Sequence, residues 1–457
     1  MMFQMRSQKI LFLSLSFFLI IIISAGAQQK QQSQAKSIGP KWKRIFQLGE
    51  SSYVRDIDMI PDGEYIGVKV LTYEGNLVDG EYIFFLNKNG DILFSQEFAK
   101  YSLDPLGIQP HLVRSIKFLK NVKYVLLNVR DCKKKREGSL IFCYNTEIWG
   151  LESIFYMPGE YIEPSPDGAF LVALPWIDFE YIYQTMGEKI SIKRYREEEN
   201  NITVYSQIYT VKRGLSEWEG DKIAEVLGEV KLFNDGTHFI AHVPGEEIAL
   251  YKINGEKVWS KSINGTVEIS EDGNFIAIGG YKCVDLKMSK PYVYFFNKEG
   301  KLLWERDIGA KYRSIVKMSN NGKYIVASEY LDFDSEFFEG GGPPRLYLFD
   351  QNGKLLWKYI EPKLPPADYY TLWPINVSSE GYVIAKCSDD EIFVIDKKGN
   401  KIWKFDYEKG HRMPFCVPSY VKASENGKYI CAVFDYHPGG GKTFGGIYFF
   451  DLTDVVK

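Results

Sequence analysis

Residues 266–308 read TVEISEDGNFIAIGGYKCVDLKMSKPYVYFFNKEGKLLWERDI, and the order of turns within them decides the fold. An alternating run ends at Asp272-Gly273, and a second apolar run follows. A loop then leads to a third run, and the residues NKEG up to Gly300 reverse the chain into a last run that carries Trp304. Asp-Gly and x-x-Gly between alternating runs are hairpin signals, because glycine takes the positive φ that a tight reversal demands. The unit is therefore expected to be four antiparallel strands.

The pattern recurs with a period of about 35 to 65 residues. Asp62-Gly63, Asp167-Gly168, Asp235-Gly236, Asn321-Gly322, Glu380-Gly381 and Asn426-Gly427 repeat the first turn, and Asn121-Val122 is a degenerate copy, which makes eight. The second turn recurs at residues 87–90 (NKNG), 350–353 (DQNG) and 396–399 (DKKG), with a shortened form ending at Gly255. An aromatic stands four residues beyond each of these glycines: Phe94, Trp259, Trp304, Trp357 and Trp403. Such a residue packs its large apolar face between neighbouring sheets. Four antiparallel strands repeated eight times predict an all-β, eight-bladed β-propeller over residues 40–457. The last copy stops at GGIYFFDL without a fourth strand, whereas residues 41–48 (KWKRIFQL) form a fourth strand with no copy before it. Residues 41–48 are expected to pair with residues 446–451 and close the ring, with Trp42 at the aromatic position.

These units resemble the repeats of the quinoprotein-like (PQQ-like) and WD40-like propeller superfamily. The D-x-x-G-x-x-x-W turns are similar to the tryptophan-docking motif of quinoprotein dehydrogenases. The resemblance covers residues 40–453 and implies the fold; propellers of this kind host enzymes, assembly scaffolds and binding proteins alike. The residue before the turn glycine is Asn89, Glu299, Asn352 or Lys398, where the docking motif usually has Thr at one greater spacing. The chain has no adjacent Cys pair of the kind found near the quinone in that family, so no cofactor is expected.

Composition agrees with a large folded β protein. The 457 residues are 45% hydrophobic, 15% aromatic and 25% charged, which excludes global disorder. Lys and Arg number 56 against 59 Asp and Glu, a net charge of −3 that argues against a nucleic-acid partner. Arg6 and Lys9 precede the apolar run ILFLSLSFFLIIII, and Ala25 and Ala27 complete an A-x-A cleavage pattern. Residues 1–27 thus read as a signal peptide, residues 28–39 as a Gln-rich linker, and the mature chain as a secreted or periplasmic monomer without an integral membrane span. Retention of the apolar run as an anchor is the alternative. The six Cys are irregularly spaced; Cys132 and Cys143 flank one hairpin loop and are the pair to test, and free buried thiols are the other reading.

The tight turns fall on one face of the ring, which leaves the long connections at residues 72–80, 99–110, 131–138, 177–200, 282–290, 331–344, 362–373, 408–417 and 435–444 for the other. Loops on a rigid scaffold are the usual place for binding residues. His111, His411 and His437 lie in or beside them, with Arg412 and Asp435 adjacent, and ring closure would bring them near one another. Asp332, Asp334 and Glu336, followed by Gly340, Gly341 and Gly342, form a weakly calcium-like loop that also reads as a solvated acidic surface. His238 and His242 lie on one strand about 13 Å apart, too far for a single metal.

Counting five residues back from each first turn gives a column: Asp58, Lys117, Glu163, Lys231, Glu268, Lys317, Asn376 and Lys422. Its neighbours on either side are largely apolar, so the column is expected to line the central channel as ion pairs bridging adjacent blades. Ligand or ion binding there is the second reading. No nucleophile stands beside a base, and no Walker, Rossmann or G-x-S-x-G motif occurs. The expected function is noncatalytic binding of a protein, peptide or glycan on the long-loop face. The alternative is an exported enzyme, a quinone-type oxidoreductase or a polymer hydrolase or lyase, with long-face His and acidic residues as acid and base.

Overall fold

The computed structural model describes residues 38–75, 77–100, 112–119, 124–130, 138–158, 161–164, 170–174, 196–198, 201–203, 205–210, 212–213, 218–219, 222–227, 229–243, 247–285, 288–309, 313–330, 345–361, 372–387, 391–407, 411–412 and 421–457. The regular structure in them is β-strand throughout. The unit at residues 266–308 is one four-stranded antiparallel sheet of Asn264–Ile269, Phe275–Asp285, Met288–Asn297 and Leu302–Asp307, paired in chain order. Sheets of the same four-strand form open on Leu112–Phe118, Tyr161–Pro164, Glu229–Leu232, Arg313–Met318 and Leu372–Val377.

Arg196–Glu198 with Asn201–Thr203 and Lys212–Arg213 with Trp218–Glu219 form two small two-stranded sheets, and the other strands form a nine-stranded sheet that joins the two ends of the chain. It contains Ser51–Met59, Tyr65–Glu74, Leu77–Asn87 and Ile92–Lys100 from the first repeat, and Val421–Ala423, Tyr429–Gly439 and Lys442–Asp451 from the last. Trp42–Ile45 pairs antiparallel with the last of these, Trp42 opposite Phe449 and Ile45 opposite Gly446. A parallel bridge between Ser52 and Phe444 fuses the two repeats.

First strands adjoin one another. Ser51–Met59 lies against Leu112–Phe118, and Leu112–Phe118 against Tyr161–Pro164. Asn264–Ile269 lies against Arg313–Met318, then Leu372–Val377, then Val421–Ala423, which returns to Ser51–Met59. The core is the set of apolar layers between successive sheets, as where Val293, Phe295 and Trp304 meet Val316, Met318 and Ile325.

Among the described residues, two ladders of aromatic contacts join neighbouring sheets, and both use the turn glycines. Gly273 and Gly322 have φ of 68° and 67°. Phe275, just past the turn at Gly273, covers Gly322 so closely that a Cβ there would fall 2.8 Å from its ring. In the second ladder the Trp of one sheet lies on the turn of the next. Trp42 covers Gly90, Trp259 covers Gly300, Trp304 covers Gly353 and Trp357 covers Gly399. The indole N–H groups of Trp42, Trp259 and Trp304 donate to the carbonyls of Lys88, Lys298 and Gln351 at 3.0, 3.0 and 2.9 Å. Trp403 donates instead to Ile38 O at 3.0 Å, so the N-terminal segment stands where a turn would. Arg44 and Arg306, each two residues past its Trp, add bonds of 2.7 and 2.8 Å to the carbonyls of Gly90 and Gly353.

Trp357 departs from this pattern: its indole N–H is buried without a hydrogen-bond partner. Trp304→Phe and Trp357→Phe remove the same ring area, but only the first breaks a hydrogen bond, a net loss of about 1 kcal/mol. Thermal melts of the two variants are therefore expected to differ by about 1–2 kcal/mol, with Trp304→Phe the less stable. Equal losses would show that the indole bonds do not contribute to holding the sheets together.

Several long connections are not loops. Residues 72–80, 282–290 and 435–444 continue the strands on either side of them, with Thr72 opposite Gly80, Lys282 opposite Lys290 and Tyr436 opposite Phe444. The physical reason is alternation that runs past the sheet, so hairpin hydrogen bonds satisfy backbone groups a loop would leave to water. Cys431 is fully buried, and burial pushes its thiol up to about 12. Cys143 is also buried, and Cys132 lies outside the described residues, as do the signal peptide and most of the linker.

Candidate functional site

The tight-turn glycines and Trp carbonyl acceptors are committed to neighbouring sheets. The opposite face carries the extended hairpins, and its described side chains converge at the seam between the first and last repeats. Tyr429–Gly439 and Lys442–Asp451 bring Asp435, His437 and Thr443 to this face, and the start of Ser51–Met59 lies across the seam. His411 and Arg412 pair through their backbones with Tyr436 and Asp435. The structure thus assembles His411, Arg412, Asp435 and His437 on one strand pair. His111 lies outside the described residues, as do Asp332, Asp334 and Glu336. Among the described residues no group of three His, Cys, Asp or Glu is arranged to hold a metal ion.

Asp435 is the unusual group. It is 8% exposed, and its Oδ1 is buried without a hydrogen-bond partner. Burial pushes its carboxyl up to about 6, against the pull of the nearby Arg55 guanidinium. Arg55 was not marked by the sequence. It falls where the register between Ser51–Met59 and Tyr65–Glu74 shifts, between Val54 and Asp56, and the bulge turns it out of alternation. Its guanidinium lies 5.1 Å from the Tyr53 ring centre and donates to Tyr73 Oη at 3.2 Å. Tyr53 and Tyr73 meet edge to face at 5.2 Å. His437 Nδ1 shares a 3.0 Å hydrogen bond with Thr443 Oγ1, whose backbone N–H donates to Ser51 Oγ at 3.2 Å. The result is an aromatic and cationic rim beside a buried carboxylate with unused acceptor capacity.

A second polar array lies on the first strands. Glu268 accepts from Lys231 at 2.8 Å and from Lys317 at 2.7 Å, so one carboxylate bridges ammonium groups from the sheets on both sides. Burial alone would raise the Glu268 carboxyl, but the two lysines hold it at about 2. Lys422 stands 3.7 Å from Asp58, and Asp58 Oδ2 accepts from the Phe118 N–H at 3.0 Å. Asn376 Nδ2 donates to Ser424 O at 2.7 Å. Lys117 is half-buried, and Glu163 lies on Tyr161–Pro164. His238 and His242 lie on one strand, with His238 bonded to Thr237 Oγ1 at 2.6 Å.

No protein-family model and no curated protein matches the chain. Solved structures do. The Dos1 propeller superposes with a TM-score of 0.54 at 12% identity, over 90% of this chain and 95% of that one. The C-terminal WD40 domain of Sif2 gives 0.53 at 10% identity, over 91% and 99%. Sqt1 from Chaetomium thermophilum gives 0.52 at 10% identity, over 89% and 97%. At such identities the likeness shows the fold alone, a β-propeller. Among the described residues no helix is long and apolar enough to cross a membrane.

Proposed function

We propose that the chain is a noncatalytic propeller of eight blades that binds a protein or peptide partner on its long-loop face, at the seam where its first and last repeats meet. The blade count rests on the recurring four-strand order and on first strands that adjoin one another. Closure rests on the pairing of Trp42–Ile45 with Lys442–Asp451 and on the bonds from Trp42 and Arg44 to the first repeat. Export behind Ala27 and a monomeric state belong to the same reading, from the apolar run and its A-x-A pattern.

One observation carries the binding role: Asp435 is a liability to the fold. An acid whose pKa rises on folding stabilises least when ionised. Its contribution is intact below the ordinary value of 3.8 and declines as pH climbs to about 6, so at neutral pH the full cost is borne. A buried oxygen without a donor adds to that cost. Groups of this kind are retained where a ligand supplies the missing partner. The donor it suits is a basic or amide group of a peptide, with Tyr53 and Tyr73 offering apolar contact beside it.

Asp435→Asn is expected to raise stability at pH 7 by about 1–3 kcal/mol while abolishing the pH dependence below it. Peptides selected on the native protein from a random display library should be enriched in Lys or Arg, and should bind Asp435→Asn or Tyr53→Ala at least about tenfold more weakly. Undiminished binding to both variants would place the site elsewhere. A fall in stability for Asp435→Asn would show the carboxylate to be structural.

A further inference from the structure

The charged column on the first strands alternates in sign except at one place. Glu163 stands between Lys117 and Lys231, Glu268 between Lys231 and Lys317, and Asp58 between Lys422 and Lys117 in the order of the repeats. Between Lys317 and Lys422 stands Asn376, which is neutral. The geometry at Glu268 shows what a carboxylate does in this array: ammonium groups from sheets two steps apart close on it at 2.8 and 2.7 Å. The repeat places Lys317 and Lys422 in the same relation to Asn376. Among the described residues of the column, none supplies a counter-ion at this position.

Exposure reinforces the asymmetry. The carboxylate side chains of Glu268 and Asp58 are 17% and 19% exposed, whereas Lys231, Lys317 and Lys422 are 46%, 39% and 35% exposed. The acids are recessed and spent on the wall: Asp58 takes the Phe118 N–H, and Asp56 takes the Ile116 N–H at 3.0 Å. The ammonium groups stand forward with donors to spare. Each has three N–H bonds to give; Lys317 uses one on Glu268, and Lys422 sits at 3.7 Å from Asp58, beyond a hydrogen bond. A cleft lined by one sign of exposed charge and walled by low-dielectric protein concentrates ions of the other sign.

We infer that Lys317 and Lys422 hold an oxyanion over Asn376, a phosphate or the carboxylate of an acidic peptide, which takes the place that Glu268 and Asp58 fill elsewhere in the array. The site is separate from Asp435 and its rim, and it holds whether or not the partner reading above is correct.

The test uses the full folded protein with inorganic phosphate and a hexaglutamate peptide as probes, titrated by calorimetry at constant ionic strength. At least one probe is expected to bind saturably below about 10 mM. Asn376→Asp, which supplies the missing carboxylate, should weaken binding at least about tenfold, and Lys317→Met and Lys422→Met should do the same. Asn376→Asp also loses the bond to Ser424 O; should it fail to fold, Lys317→Met carries the test alone. Lys354→Met on the tight-turn face should leave the affinity unchanged. Binding of phosphate alone identifies a free oxyanion as the ligand, and preferential binding of hexaglutamate identifies an acidic segment. Failure of both probes to bind, or equal affinity in Lys317→Met, would overturn the inference.

Discussion

Deletion of residues 38–48 is expected to abolish cooperative folding of the monomer. The deletion removes the strand Trp42–Ile45 and its pairing with Lys442–Asp451. It strips the Trp42 ring from Phe449, on which it stacks at 5.2 Å, and takes out Phe46, which is buried. It also leaves three groups without partners: the Lys88 and Gly90 carbonyls of the first repeat, and the Trp403 indole N–H that now donates to Ile38. Truncating one buried aromatic typically costs about 3–5 kcal/mol, and the whole domain is held by only about 5–15 kcal/mol. Two aromatics amount to about 6–10 kcal/mol by that measure, most of the margin before the lost strand and its hydrogen bonds are counted. The exposed edge of Lys442–Asp451, rich in Phe and Tyr, is then free to pair with another chain. Size-exclusion chromatography with light scattering should show aggregates in place of a monomer, and a synthetic peptide spanning residues 36–49 should restore the monomer. A monodisperse deletion variant melting within a few degrees of the native protein would show that the strand is ornamental.

Gly445→Val is expected to be nearly as damaging, for a reason of space alone. Gly445 lies opposite Asp435, and its missing side chain points at the first repeat. A Cβ there would sit 2.9 Å from Tyr53 Cα and closer still to Val54 N. Both are backbone atoms of a paired strand and cannot yield cheaply, so the seam must open. The expected loss is about 3–5 kcal/mol, at the upper end for overpacking. Gly440→Ala is the contrast. Its φ of 67° makes an L side chain strained, but nothing lies within 4 Å, so a loss of about 1 kcal/mol is expected. Similar losses from the two variants, read by chemical denaturation, would mean that the first and last repeats are not tightly packed at Gly445.

The fold was legible because its defining residues are local and repeated. A turn glycine, the residues before it and an aromatic four places on lie within one short window, and each of Gly90, Gly255, Gly300, Gly353 and Gly399 has the positive φ the sequence implies. The corresponding turn of the second repeat went unseen because Trp149, and not glycine, takes the left-handed conformation there, at a φ of 47°. Its ring is held by Phe85 at 5.3 Å and Tyr65 at 5.2 Å, contacts that no local pattern announces. Gly80, Gly439, Gly440 and Gly441 make two of the extended hairpins look like loops in sequence, although Gly80 and Gly439 lie within strands. Asp435 and His437 were legible as polar residues near the long face. Arg55 was not, since a bulge displaces it by one residue from the alternation that sequence reading depends on. The orphaned Asp435 oxygen is a property of packing between repeats some 380 residues apart in sequence, and no pattern in either repeat encodes it.

Zero-length carbodiimide crosslinking of the native, unmutated protein tests most directly the claim that the two ends of the chain form one set of strands. Lys41 Nζ lies 3.3 Å from Asp451 Oδ2, across 410 positions of sequence. Mass spectrometry of the digested monomer band should recover an amide joining Lys41 to Asp451. Absence of that linkage from the monomer, or its appearance only in a crosslinked dimer, would contradict the account.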